Sequence, residues 1–436
     1  MQAVGRHPQR TPDGAPVHYE RHRPEQTTLY RLVQQHAATF IAETEVATGV
    51  DLPQFVKDEF DAFLECGILA HGGFLRLRCG ECGHDKLVAF SCKRRGICPS
   101  CGARRMAQTA AHLVDHVIPH VPVRQWVLSL PIPLRLLLAA QPKLVTPVLQ
   151  VVHRVITRHL LGQAGLKADE ADSGAVTLIQ RFGSAANLNI HLHCLVLDGV
   201  YRRGTEGPPE FVDVPAPTDE TLQAVLRKII TRTMGLLTGQ GVLVEEEGST
   251  YMADNDGDSD EARVLRPLQA AACTYRIAFG PRAGQKVLTL QGAERGHGPV
   301  LADGPVPREG LAPASASAAC RACRESRTSP RRCAPTTTGS ARRLVSPSGV
   351  RQAQGPFRAL VSGLTLHAAV RCAANDRRAL EQLCRYITRP ALANERLQTN
   401  AAGQVVLKLK TPWRDGTTHL VMSPLEFMRK RLGAAS

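Results

Sequence analysis

Four cysteines in the segment RCGECGHDKLVAFSCKRRGICPSCGARR constrain this chain more than any other feature. Cys79-x2-Cys82 and Cys98-x2-Cys101 are two tight pairs, with Gly80, Gly83 and Gly102 easing the turns. A CxxC turn offers two thiolates to one ion, and tetrahedral Zn²⁺ takes four. The separation of roughly fifteen residues fits a zinc ribbon, with a short hairpin near Lys86–Ser91 between two knuckles. The expectation is a Zn²⁺ held by Cys79, Cys82, Cys98 and Cys101. Four thiolates leave no open coordination position, so such a site builds structure and does no chemistry. His84 and Cys92 are surplus donors, Cys92 being read as a buried spare thiol.

Around the second pair lie Lys93, Arg94, Arg95, Arg104 and Arg105, with no acid between them. Such a cluster is either a solvated rim or a surface that faces phosphate. The whole chain carries a net charge of +15, which favours a polyanionic partner, most often nucleic acid. DNA is the partner expected. Hydrophobic residues make up 43% of the chain, as in a globular protein. No stretch approaches the roughly 20 apolar residues of a membrane span. The best candidate, Val127–Ala140, contains Pro131, Pro133 and Arg135. The polar, proline-bearing N-terminus lacks the apolar core of a secretory signal. A cytoplasmic address is expected, where the thirteen cysteines serve as thiols and metal ligands and not as disulfides.

Periodicity divides the chain into segments. Residues 1–27 form a loose leader. Residues 28–120 hold two helices across Thr28–Leu64, the ribbon, and a helix over Met106–His120. Residues 121–291 open with a buried strand at Trp126, continue with an amphipathic helix over Lys143–Leu161, and then give strands Ala175–Phe182 and Leu188–Leu197. Residues 241–263 are acidic and read as a solvated loop whose spacing does not match a calcium loop. Residues 292–360 are low in complexity. Their Gly292–Arg343 part is rich in Ala, Arg, Pro, Gly and Ser, and two explanations stand: disorder or a translated reading-frame slip. Residues 361–436 regain ordered patterning.

Two further elements carry chemistry-bearing side chains. On strand Leu188–Leu197, alternation sends Asn189, His191 and His193 to one face and Ile190, Leu192 and Cys194 to the other. Two imidazoles at i and i+2 can share a divalent cation, or simply pack. In NDRRALEQLCRYITR, Asn375 or Asp376 caps a helix that Pro390 stops, with Leu380, Leu383, Cys384 and Ile387 as its apolar stripe. Tyr386 lies at the stripe's edge near Arg385 and Arg389, either packed or poised as a nucleophile. A phenol, with a pKa of about 10, attacks phosphate only where cations favour its anion.

Several ordered blocks resemble one family: CKRRGICPSCGARRM, HLVDHVIPHVPVRQWVLSLPIPLR, NLNIHLHCLVLDGVY, LCRYITRPALANERL and LKTPWRDGTTHLVMSPLEFM. They are similar to rolling-circle transposases of the insertion-sequence ninety-one type, in the His-hydrophobic-His (HUH) endonuclease superfamily. The resemblance covers most of residues 20–291 and 364–430. It implies an α+β fold, with an N-terminal helical and zinc-ribbon domain followed by an HUH endonuclease domain. That domain would have a central antiparallel sheet and a tyrosine-bearing helix. His191 and His193 would hold Mg²⁺ or Mn²⁺, with Gln382 or Gln180 as third ligand. Tyr386 would attack single-stranded DNA at element ends and leave a 5′-phosphotyrosine. Only one tyrosine stands on the helix, as in the family's single-tyrosine branch. Gly292–Arg343 does not resemble the family, and the chain ends sooner after LEFMRKRL than its relatives generally do. The rival readings are a replication initiator or relaxase of the same superfamily, and a non-catalytic or decayed zinc-ribbon DNA-binding protein.

Overall fold

The computed structural model describes residues 23–94, 96–204, 207–246, 249–252, 259–292, 344–345 and 363–435. Most of the leader, Arg95 and nearly all of the low-complexity segment lie outside the described residues. The chain mixes helices with antiparallel sheets.

The two expected N-terminal helices are Thr28–Thr48 and Gln54–Glu65. Thr27 caps the first by accepting the Tyr30 N–H, and Gly49, at φ 67°, ends it in the left-handed conformation. Phe40, Phe60 and Phe63 seal the pair. A hairpin follows, Phe74–Arg78 against Asp85–Ala89. The first cysteine knuckle is therefore the turn of this hairpin and does not precede it. The next helix begins earlier than periodicity implies, at Pro99, with Cys98 as its cap. Its end at His112 widens into a π turn over Leu113–Val117.

The central sheet has five strands in the order Leu344–Val345, Thr365–Cys372, Val123–Ser129, Leu188–Leu197 and Ala175–Phe182. All neighbours are antiparallel, and the histidine strand sits between two partners. One face is covered by helices Ile132–Ala140, Val145–Gln163 and Asp219–Gly239, through Leu138, Ile156, Leu226 and Ile229 packed on Ile190 and Leu192. Helix Arg377–Thr388, which carries Tyr386, covers the other face with Leu380, Cys384 and Ile387 against Leu195 and Leu197. Asp376 caps that helix by accepting the Ala379 N–H.

One buried ionic knot holds three neighbouring segments of this sheet. Asp198 accepts two bonds from Arg124, at 2.6 and 2.8 Å, and one from Arg371 at 2.6 Å. Arg124 also donates to the Ala368 carbonyl at 3.0 Å. A second sheet, Leu288–Gln291, Thr417–Met422, Val405–Lys408 and Leu397–Thr399, packs on the N-terminal helices and the final helix, Pro424–Ala435. Phe40, Phe60 and Cys98 share one core with Leu407, Leu420 and Phe427. The acidic stretch expected as a loop contains a two-stranded hairpin, Leu243–Glu246 with Ser249–Met252. Its end starts a helix at Asp260, capped by Ser259. Among the described residues, no single helix is long and apolar enough to cross a membrane.

Candidate metal centre and nucleophile site

The four sulfurs that converge belong to Cys66, Cys92, Cys98 and Cys101, all within 4.8 Å of one another. Cys101 lies 3.5 Å from both Cys66 and Cys92, and Cys98 lies 3.6 Å from Cys66. A zinc–sulfur bond of about 2.3 Å places the corners of a tetrahedron about 3.8 Å apart. The observed edges match that cage with slight contraction. Three of the four thiols are buried, and contacts from the other three hold the Cys101 thiol well below the usual range. The donor set suits a structural Zn²⁺.

This corrects the sequence expectation for half the ligands. Cys98 and Cys101 belong to the cluster; Cys79 and Cys82 do not. The hairpin explains the exchange. It puts Cys79 and Cys82 in its turn, where both are exposed, while Gly67 N–H bonds the Phe90 carbonyl at 2.9 Å at its base. That closure brings Cys66 and Cys92 together. Five paired residues at about 3.4 Å each separate tip from base, about 17 Å. Cys92, read as a spare thiol, is a ligand candidate, and Cys66 was missed because it stands alone after a helix. Cys79 keeps a knuckle of its own: the backbone N–H groups of Cys82 and Glu81 donate to its sulfur and lower its pKa.

The basic residues are spread about this module. Lys93, Arg94 and Arg104 are exposed. Arg105 is half-buried and donates to the Lys93 carbonyl at 2.8 Å.

The histidine pair lies on the face that meets the Tyr386 helix. The rings of His191 and His193 stand 4.7 Å apart. His191 donates from Nδ1 to the Asn189 carbonyl at 2.7 Å, which leaves its Nε2 as a lone-pair donor. His193 Nδ1 lies 2.7 Å from the Gln125 amide nitrogen, and its buried Nε2 has no partner. Turning the Gln125 amide over would put its oxygen on Nδ1 and free the Nε2 lone pair, the tautomer a metal requires. Burial, followed by neighbouring His191 and Arg389, depresses the His193 pKa to about 3, so the ring is neutral. Burial likewise lowers His191, with Arg135 and Arg389 adding to it.

Gln180 pairs across the sheet with His191. Its amide nitrogen donates to the Ile387 carbonyl at 2.8 Å, which fastens the histidine strand's neighbour to the residue after Tyr386. Gln382 is exposed one turn before Tyr386, so of the two glutamines the structure brings Gln180 to the histidines. Tyr386 itself is 49% exposed. Arg389 lies 4.3 Å from its ring centroid and Lys410 lies 4.0 Å from it. Burial opposes ionisation of the phenol, but Arg389 and Lys410 outweigh it and the pKa falls below the usual value. Arg389 thus bears on both histidines and on the phenol. Lys410 escaped sequence reasoning because it comes from a strand end remote in the chain.

Two family models match. "Transposase zinc-binding domain", of the IS91 type, covers residues 32–130, and "Putative transposase" covers residues 174–433. The chain belongs to the IS91-type transposase family and has that family's N-terminal zinc-binding domain. It is accordingly a nucleic-acid-processing protein with DNA as its partner. No curated protein and no solved structure is similar enough to be matched to it.

Proposed function

We propose that this transposase is an HUH-type endonuclease that nicks single-stranded DNA at insertion-sequence ends through a covalent 5′-phosphotyrosine, in rolling-circle transposition. The observation that carries the reading is geometric: Gln180, paired with His191 across the sheet, donates to the Ile387 carbonyl next to Tyr386, and Arg389 lies 4.3 Å from the Tyr386 ring. The sequence keeps the histidines and Tyr386 far apart; the packing of Leu380, Cys384 and Ile387 of the Tyr386 helix against Leu195 and Leu197 of the histidine strand supports their meeting.

His191 Nε2, His193 Nε2 and the free oxygen of Gln180 would hold a divalent ion. Neutral imidazoles and an amide oxygen fit Mg²⁺ or Mn²⁺, which when bound supplies Lewis-acid polarisation of the scissile phosphate. The protein's own groups do the rest. Arg389 and Lys410 favour the phenolate of Tyr386. Its Oη forms a bond to phosphorus while the bond from phosphorus to the 3′ oxygen breaks. The phenol proton leaves to solvent, and the departing 3′ oxygen takes one from water. The phosphodiester becomes a phosphotyrosine ester of similar energy, which a second 3′-hydroxyl can reverse onto a new strand without ATP.

The described residues support a division of labour. The zinc-binding module serves as the DNA-positioning part, and the sheet with its Tyr386 helix serves as the cutting part, acting in the cytoplasm. The test is incubation with single-stranded oligonucleotides of the element ends plus Mg²⁺. A covalent adduct at the 5′ side of a nick is expected from the wild-type chain and not from Tyr386→Phe. Equal adduct from both would refute the reading.

A further inference from the structure

A groove of about 580 Å³ runs beside the nucleophile. Its floor is Ala175–Phe182, the outer strand of the central sheet. One wall is the helix Pro99–His112 of the zinc-binding module, and the other is the end of the Tyr386 helix with the start of the following loop. Four arginines line it: Arg105 from the first wall, Arg181 from the floor, Arg389 from the second wall, and Arg431 from the final helix. Among the described residues, no acidic side chain lines it. Phe182 and Ile179 add apolar surface, and Ile179 is 43% exposed.

We infer that this groove is the track that delivers one unpaired DNA strand to Tyr386. The inference rests on the nicking reading for its direction, because Gln180 and Arg389 border both the groove and the histidine–tyrosine site. Its chemistry stands independently. Arginines along a channel match a phosphate backbone, and an aromatic ring offers a stacking face that accepts any base. Both kinds of group come from different parts of the chain. Arg105 belongs to the metal-supported helix and Arg181 to the catalytic sheet, so a strand in the groove touches both at once. Arg431 is buried and donates to the Gly96 carbonyl at 2.5 Å, which braces the wall beneath the strand.

The track is tested by anisotropy of a fluorescent 30-nucleotide strand and of its duplex. The protein is the full zinc-loaded chain bearing Tyr386→Phe, so that no cutting intrudes. Arg105→Glu and, separately, Ile179→Trp, which would plug the groove, are each compared with Arg154→Glu. Arg154 is an exposed arginine on the helix Val145–Gln163, away from the groove. Each groove variant is expected to weaken single-strand binding at least tenfold and to leave duplex binding within twofold. Thermal melting should be unchanged. Arg105→Glu should also lower the salt slope by about 0.7 per lost phosphate contact. The track is refuted if both groove variants bind the single strand normally, if Arg154→Glu weakens it as much, or if duplex binding falls in step. The two readings fail separately. Groove-dependent binding without any adduct from the wild-type chain removes the nicking chemistry and leaves the track. An adduct formed at full rate by both groove substitutions, made separately in a chain that keeps Tyr386, does the reverse.

Discussion

Replacing Cys92 by serine should strip the chain of zinc, whereas replacing Cys79 by serine should not. The sequence favours Cys79, which stands in a CxxC pair, yet of the two only Cys92 has its sulfur 3.5 Å from Cys101, within a four-thiol cage. Structural zinc in finger peptides is bound with about 10–16 kcal/mol. If each of four thiolates carries a similar share, losing one costs about 3–4 kcal/mol, or two to three decades in zinc affinity. The effect extends into the fold, because Cys66, Cys98 and Cys101 are part of the same core as Phe40 and Phe60. Zinc content after dialysis against a competing chelator, together with melting temperature, reads both consequences. Wild type and Cys79→Ser should keep one zinc per chain across chelator strengths that empty Cys92→Ser and Cys66→Ser. The latter two should melt earlier. The assignment is refuted if Cys79→Ser loses the metal, or if Cys66→Ser keeps it against the same chelator.

Lys430 is fully buried, and desolvation lowers its pKa from 10.5 to about 7. Between those values the unfolded chain holds a proton that the native one lacks, so stability rises with pH from about 7 to 10.5. The shift corresponds to about 5 kcal/mol at most between the two pH limits. Lys430→Met is therefore expected to stabilise the chain at pH 7 by a few kcal/mol in urea unfolding and to flatten that pH dependence; a destabilised variant would contradict this. Asp198→Asn leaves Arg124 buried beside a neutral amide, and should cost about 3–5 kcal/mol by the same measurement. Arg389→Ala removes the main cation that lowers the Tyr386 pKa. Adduct formation should slow at neutral pH and recover as pH rises towards the ordinary phenol range, so an unchanged pH profile would rule out that role.

Local pattern made much of this fold legible. Residue pattern placed the strands Ala175–Phe182 and Leu188–Leu197 at their observed bounds, because two runs rich in strand-forming residues flank a short glycine-bearing turn. Capping and proline placed the Tyr386 helix to within two residues. Pairing of cysteines by spacing did not work as well. A CxxC motif shows that two thiols are neighbours, but which pairs meet depends on how the hairpin closes. That closure is recorded in Gly67 and Phe90, which carry no metal signature. Gln125 and Lys410 were equally invisible. Their importance arises only from what stands opposite them, His193 in one case and Tyr386 in the other.

The helix Pro99–His112 lies so close to the residue ending the Tyr386 helix that a methyl group on Gly102 would sit 2.9 Å from Pro390. Arg377 adds to this contact by donating to the carbonyls of Ile118 and Pro119. During synthesis, the metal module and the histidine strand emerge long before these partners. The core around Phe40 and Phe60 also waits for Leu407, Leu420 and Phe427. A nascent, stalled or clipped chain thus holds its metal ligands and histidines with no phenol at hand. On the proposed reading, the power to break a strand arrives after the metal module and the histidine strand, once the parts that would hold the broken end exist.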